Sequence, residues 1–560
     1  MALKAPALFA LCQGVFAVLK NPSDSPLPAK YGGWRELYST SVAISDLHSF
    51  NETLAAELDD SAVGRLSHFL TSIEPVDSLE MDMKEGSKGL EGVKNFRLLP
   101  GVFPEDMRYH FDGLASVMLL KFEDGKLKMR VKHFESEAYL HWNSCSLLYA
   151  GTGPKVGPHN CMTNPAVNLL PLNSQLWLTI DTAFWGQVDM ETLETVESSI
   201  TAPSLVLNAH PACDPQTGEC FVQHGCGSLK NPLSDRVCIG KLETGKGGLN
   251  EQTLTEARMP KSKLIQHSHS PCVTPNYVVS KLDNFASRSP KWDQQGMLRF
   301  LQQEEDSLWL LMDRRTNESD VISSDLKFVN NHFWNCFEDP QTGALVVDSV
   351  AATDTYLDSY FAHRLGKGSP DWPSIFKPAQ RCVLKEEEAQ SAFELSGDSQ
   401  GEDSTARFAC EQLVKDDAQT GQPVYFDYPT FNPLWKMKAN YRWFYAIAAK
   451  DPTAETGSRW FDQLVKVDVQ SREVSASWSE EGTFLTEADF VVKNTDDEGE
   501  GGEDDGWLLS VAYREKENQS SLLVFDARTL TLIDEYPLGQ IVPFHAHGVV
   551  CKGERCFTNP

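Results

Sequence analysis

Six histidines in this chain of 560 residues stand in settings where an imidazole could act on something other than solvent. His545 and His547 lie in the apolar run PFHAHGVVC (Pro543–Cys551), and strand alternation puts both on one face. His210 ends an apolar run in LVLNAHPACDPQTGE, His267 and His269 precede a strand in QHSHSPCVTPNYVV, and His332 opens an aromatic strand in FVNNHFWNCFED. A neutral imidazole is a ligand for iron, zinc, copper or nickel, so residue type alone leaves the metal open. Histidines this far apart can share one ion only if the fold gathers strand ends around a common axis.

The elements expected to position them are strands. The hydrophobic period is mostly two, in short runs broken by turns. SVMLLKFEDGKLKMRVKHF reads as a hairpin turning at Asp124-Gly125. SLWLLMDRRTNES and GALVVDSVAATD add further strands, and a helical pattern is expected only near residues 33–68. A strand, an Asp-led turn and a second strand recur at Asp189, Asp468 and Asp526. Repeated units of this kind point to a β-propeller, with a sandwich as the alternative. Two polar stretches, 384–420 and 493–506, read as surface insertions within a single domain spanning 31–560; the second, KNTDDEGEGGEDDG, is acidic and glycine-rich.

Composition narrows the class. The chain is 41% hydrophobic and 23% charged, with a net charge of -29, which argues against nucleic acid as a partner. No apolar run is long enough for a spanning helix. Residues 1–30 read as a secretory signal, a membrane-surface anchor or a helix packed on the domain. The thirteen cysteines lack paired zinc-ribbon spacing. Cys213, Cys220 and Cys226 are close together, as are Cys551 and Cys556, and some pair if the protein is secreted.

Taken together and in order, the four histidine contexts resemble those of the carotenoid cleavage oxygenase family, over nearly the whole chain. NAHPACDPQTGE matches the first motif; HSPCVTPNYVV matches the second, with Thr274, Asn276 and Tyr277 at the family offsets. HFWNCFED matches the third, with Asn335 and Glu338, and VPFHAHGVV the last, with His547-Gly548. PGVF (100–103) and YHFDG (109–113) match upstream signatures. The resemblance implies a seven-bladed β-propeller with a small helical cap and Fe(2+) on the propeller axis, held by His210, His269, His332 and His547. His545 and His267 fall outside that ligand set. The family orients three of the imidazoles with glutamates. Glu487 in FLTEADFVV keeps that pattern, whereas Asp181 in WLTIDTAFW and Asp427 in VYFDYPTFNP depart from it, and Ile180 stands where a threonine is common. An aspartate carboxylate reaches roughly 1.3 to 1.5 Å less far, so an inward shift of the strand or a bridging water is expected.

The implied activity is dioxygenase cleavage of a carbon–carbon double bond in a carotenoid or apocarotenoid, giving aldehyde or ketone products. Retinoid isomerohydrolase-like and stilbene-cleaving branches of the family are alternatives, and a non-catalytic binding propeller is a third. The implied partners are an apolar polyene, O2 and a membrane or lipid particle touched peripherally near Leu147 and Leu148, with the protein a monomer or weak dimer. Localisation is expected to be peripheral to a membrane, with a secretory or organelle-targeting N-terminus.

Overall fold

The computed structural model describes residues 71–558 except 104–109, 143–162, 182–183, 202–207, 227–235, 246–247, 259–264, 288–297, 301–306, 325–326, 354, 361–370, 395–405, 453–457, 459 and 494–501. The expected N-terminal segment, the helical pattern near 33–68, and Leu147 and Leu148 lie outside the described residues.

The chain is all-β and propeller-like. Four sheets are four-stranded antiparallel meanders, built on Asn168–Leu172, Ala212–Cys213, Phe426–Thr430 and Thr483–Val492 as first strands. Central strands such as Gly506–Arg514 are buried along their whole length, whereas the edge strand Glu473–Ser479 alternates exposed and half-buried positions. That is the pattern of sheets stacked face to face, where only outer strands meet water. A fifth, ten-stranded sheet runs from Ile265–His267 to Val329–Glu338. Its halves meet where Ser319–Ser324 and Arg407–Gln412 pair in parallel. The sixth sheet joins distant parts of the chain, because Val93–Val102 pairs with Gly548–Lys552, setting Arg97 opposite Gly548.

A series of inner strands, called first strands below and two of them from the ten-stranded sheet, pack on one another: Ala212–Cys213 on Cys272–Val273, then Val329–Glu338, Phe426–Thr430, Thr483–Val492 and Gly548–Lys552. Four of these six carry or adjoin one of the candidate histidines, so the ring of first strands is what gathers them.

The expected hairpin is present, with strands Leu114–Glu123 and Lys126–His133 and both turn residues left-handed (Asp124 φ 57°, Gly125 φ 71°). The stretch expected as a surface insertion at 384–420 is more structured than that. It contains helix Glu386–Glu394 and strand Arg407–Gln412, which is tied to strand Gln380–Leu384 by the Cys382–Cys410 disulfide. Its polar composition reflects a strand with one face in solvent, exposed at Arg407, Ala409 and Glu411.

Candidate metal centre

Local backbone distortions aim the histidines inward. His332 lies on Val329–Glu338, whose pairing with Leu345–Ala352 shifts register between Asn330 and Phe333 and again before Asn335. An irregularity of this type bends a strand and redirects its side chains. His547 sits in the left-handed region (φ 54°) just before Gly548–Lys552. The next residue has to be glycine, since a Cβ there would lie 2.5 Å from Asp489 Oδ2. His210 and His269 occupy short runs ahead of Ala212–Cys213 and Cys272–Val273, and the His210 amide donates to the His269 carbonyl at 3.4 Å.

These four side chains converge, with one ring nitrogen from each lying within 4.8 Å of the others. Ring centroids are 4.2 Å apart for His210 and His547 and 5.2 Å for His269 and His332. His545 is not part of the cluster. Its Nδ1 bonds the Pro543 carbonyl at 2.9 Å, and burial, with Arg97 nearby, pushes its pKa down to about 3. His267 ends strand Ile265–His267, and its side chain lies outside the described atoms.

Three imidazoles turn Nδ1 toward a carboxylate. His269 Nδ1 is 3.1 Å from Asp181 Oδ2, His332 Nδ1 is 2.8 Å from Asp427 Oδ1, and His547 Nδ1 is 3.5 Å from Glu487 Oε1. Both aspartates therefore reach their imidazole without a bridging water. Asp181 lies beyond the end of strand Gln175–Thr179, in a bend, and its other oxygen accepts the Ala209 amide at 2.8 Å. Asp427 sits where Phe426–Thr430 shifts register, beside a left-handed Tyr428 (φ 53°).

Asp427 is densely hydrogen-bonded. Besides His332 it accepts from the Tyr428 amide (2.7 Å), the Tyr356 hydroxyl (3.1 Å) and the Asn331 amide group. Tyr356, Tyr360 and Tyr428 join hydroxyls in a buried triangle, with Tyr360 and Tyr428 2.7 Å apart. Burial holds the phenols of Tyr356 and Tyr428 well above the ordinary range, so they remain donors. His110, from the second upstream signature, stacks between Phe103 of the first and Tyr360, 5.9 Å from each.

Glu487 accepts the Gly548 amide at 3.1 Å. Its own carbonyl is held at 2.7 Å by Arg97, a buried guanidinium paired with Asp489. Motif residues Thr274, Asn276 and Glu338 do not face the cluster. Glu338 accepts from the Thr274 hydroxyl (2.6 Å) and the Asn276 amide (2.9 Å), joining the His269 segment to the His332 strand. Asn335 accepts the Met437 amide at 2.9 Å. Sequence reading missed Arg97, Asn331 and Tyr356. Arg97, a lone charge inside the apolar run NFRLLPG, was the readable signal; Tyr356 offered none.

The residues fit a metal. His332 Nε2 and both nitrogens of His210 are buried and have no hydrogen-bond partner among the described residues. Buried polar atoms left this way are costly, and a shared cation in their midst would satisfy them. Burial, reinforced by the neighbouring imidazoles, pushes His210 and His547 well below the usual histidine range, which keeps their lone pairs available.

The profile of the retinal pigment epithelial membrane protein family matches residues 89–550, most of the chain. The chain belongs to this family, the carotenoid cleavage oxygenases. A mitochondrial carotenoid-cleaving dioxygenase of Mustela putorius furo is 24% identical over 515 residues, covering 81% of this chain and 90% of that protein. An apocarotenoid-15,15'-oxygenase of Synechocystis is 25% identical over 476 residues, covering 79% and 86%. Among solved structures, a glutamate-to-aspartate variant of the Synechocystis apocarotenoid oxygenase superposes with a TM-score of 0.67 at 18% identity, covering 88% of this chain and 99% of the other. The cobalt-substituted form of that oxygenase gives the same score, and at this identity the likeness bears on the fold alone.

Proposed function

We propose that this protein is an iron(II)-dependent oxygenase that cleaves a carbon–carbon double bond of a carotenoid or apocarotenoid. The observation that carries the reading is the convergence of four imidazoles, three of them facing carboxylates through Nδ1. His210, His269, His332 and His547 would hold Fe(2+), with Asp181, Asp427 and Glu487 fixing tautomer and ring orientation. Bound ferrous iron supplies the activation of dioxygen that this cleavage needs. The chain's part is to keep four imidazoles in place, to turn the Nδ1 of His269, His332 and His547 toward carboxylates, and to exclude water with Phe544 and Trp460 packed against the tyrosine triangle.

Counting the ten-stranded sheet as two blades joined at their outer edge gives a seven-bladed propeller in one domain, with the metal on its axis and a small helical cap. The apolar substrate implies peripheral membrane or lipid-particle contact. Leu140 (59% exposed) and Trp142 (43% exposed) are suited to it, and association with a membrane-bounded organelle is the matching location. No helix among the described residues is long and apolar enough to cross a membrane.

The test is aerobic incubation of iron-loaded protein with β-carotene, an apocarotenal, a retinyl ester and resveratrol, with products identified by mass spectrometry. Aldehyde pairs from a carotenoid or apocarotenoid support the proposal. A cis-retinol formed without O2 consumption supports the isomerohydrolase branch, and cleaved resveratrol the stilbene branch. A chain that binds no iron is a binding module.

A further inference from the structure

Five disulfides join described cysteines, and four of them reinforce strand pairs that the hydrogen-bond ladder already holds. Cys213–Cys220, Cys382–Cys410 and Cys551–Cys556 link residues directly opposite in register, and Cys226–Cys238 lies within one strand pair and the loop between its strands. Cys272–Cys336 differs. Its cysteines sit on Cys272–Val273 and Val329–Glu338, first strands that share no ladder although they belong to the same ten-stranded sheet.

Cys272 follows His269 by three residues, and Cys336 follows His332 by four. The cross-link therefore joins the segments carrying two of the four imidazoles, with Cα atoms 6.1 Å apart, an ordinary separation for such a bridge. Both cysteines, with His210 and Ser270, line a cavity of about 30 Å3, room for one or two waters. The polar ties across this junction, Ser270 with the Asn331 carbonyl and the Phe333 amide (3.2 Å each) and Glu338 with Thr274 and Asn276, are hydrogen bonds that depend on the two segments already being in register.

We propose, resting on the metal-centre reading above, that the Cys272–Cys336 disulfide is a positioning cross-link for the metal site: it fixes His269 relative to His332 so that the metal is held tightly only in the oxidised protein. Metal–ligand distances tolerate only about 0.2 Å, so a covalent tie this close to two ligands governs affinity. Its formation removes two protons and two electrons from the thiols, taken up by a disulfide donor that is reduced to a dithiol. Five disulfides place maturation of the chain in a compartment that oxidises thiols.

The experiment compares the wild-type protein with the double variants Cys272→Ala/Cys336→Ala and Cys382→Ala/Cys410→Ala, the second pair lying on strands of the same sheet that carry no histidine. Each is titrated with Co2+ and Fe2+, and the visible bands of bound Co2+ are recorded. The expected result is equal affinity and spectrum for wild type and the Cys382/Cys410 variant. The Cys272/Cys336 variant should bind at least tenfold more weakly, with altered bands. Equal binding by all three overturns the cross-link's role and leaves the metal reading standing. A wild type that binds neither ion overturns the metal reading and the proposal with it. Should the inner variant fail to fold, graded reduction of the wild type with peptide mapping decides: metal loss must track loss of the Cys272–Cys336 pair. Metal retained after that pair is reduced, or free thiols at these positions in the native protein, overturns the proposal.

Discussion

Asp427 accepts four hydrogen bonds, and one comes from His332. Three fixed donors hold the short carboxylate where the imidazole needs it, which is the physical answer to the missing methylene. Asp427→Ala should weaken metal binding about 10- to 100-fold, the range for a lost partner of a ligating imidazole. Tyr356→Phe removes one donor and leaves the others, so a loss of about fivefold is expected, equivalent to one hydrogen bond of about 1 kcal/mol. Co2+ titration of both variants checks the order; a Tyr356→Phe loss equal to that of Asp427→Ala would mean the tyrosine holds the fold rather than the carboxylate. His545→Ala should keep its metal, since His545 Nδ1 is spent on the Pro543 carbonyl, whereas His547→Ala should lose it. Iron content of the two proteins separates the positions.

One turn recurs among the elements, and it was only partly legible. At Asp189, Asp468 and Asp526 the sequence reading saw a strand–Asp–strand unit. The same turn forms at Asp214, Asp313, Asp339 and Asp417, each with the fifth residue left-handed and its amide bonded to the aspartate carbonyl. The signal was in the sequence as DPQTG, DPQTG and DAQTG. Strands and ligand histidines were readable because period-two patterns and motif spacing are local. The register shifts at His332, Asp427 and Glu487 were not, because they depend on which strand lies opposite. Nor was the fate of the acidic segment 493–506. Glu503 folds back there to accept the Arg442 and Trp443 amides at 2.7–2.8 Å. Burial raises its pKa from 4.5 to about 7. A carboxyl with a raised folded pKa favours the folded state below its unfolded pKa, and that advantage is lost as pH rises from about 4.5 through 7. Glu503→Gln keeps an acceptor without the charge. It should be close to neutral at pH 4.5 and stabilising by on the order of 2 kcal/mol at pH 8, as read by denaturant unfolding at the two pH values.

At the scale of the whole molecule, net charge and ring closure set what the protein does with a membrane and with its metal. A chain of net charge -29 is repelled by anionic lipid, so the membrane contact proposed for it would have to be apolar. Co-sedimentation with zwitterionic vesicles should exceed that with anionic ones, and Leu140→Glu with Trp142→Asp should lower it. Failure to sediment with either vesicle, alongside full activity on detergent-dispersed substrate, would exclude the membrane contact. The ring is closed by pairing of Val93–Val102 with Gly548–Lys552, with no disulfide across that pairing among the described residues, and His547 stands at that seam. His210, His269 and His332 come from three other first strands or the runs before them. A metal held by all four thus bridges the seam to the opposite side of the ring. The unfolded chain offers no equivalent site, because the four positions are dozens to hundreds of residues apart. Binding to the folded state alone stabilises by RT ln(1 + [M]/Kd), about 4 kcal/mol at a thousandfold excess over Kd. Removing the metal by chelation should therefore lower the thermal midpoint by several degrees and restore it on adding Fe2+ anaerobically. In His547→Ala both effects should disappear, leaving a midpoint near that of the chelated wild type. A midpoint unchanged by chelation, in protein shown to have lost its iron, would mean that the sheets hold the ring at full strength and that the metal contributes to chemistry alone.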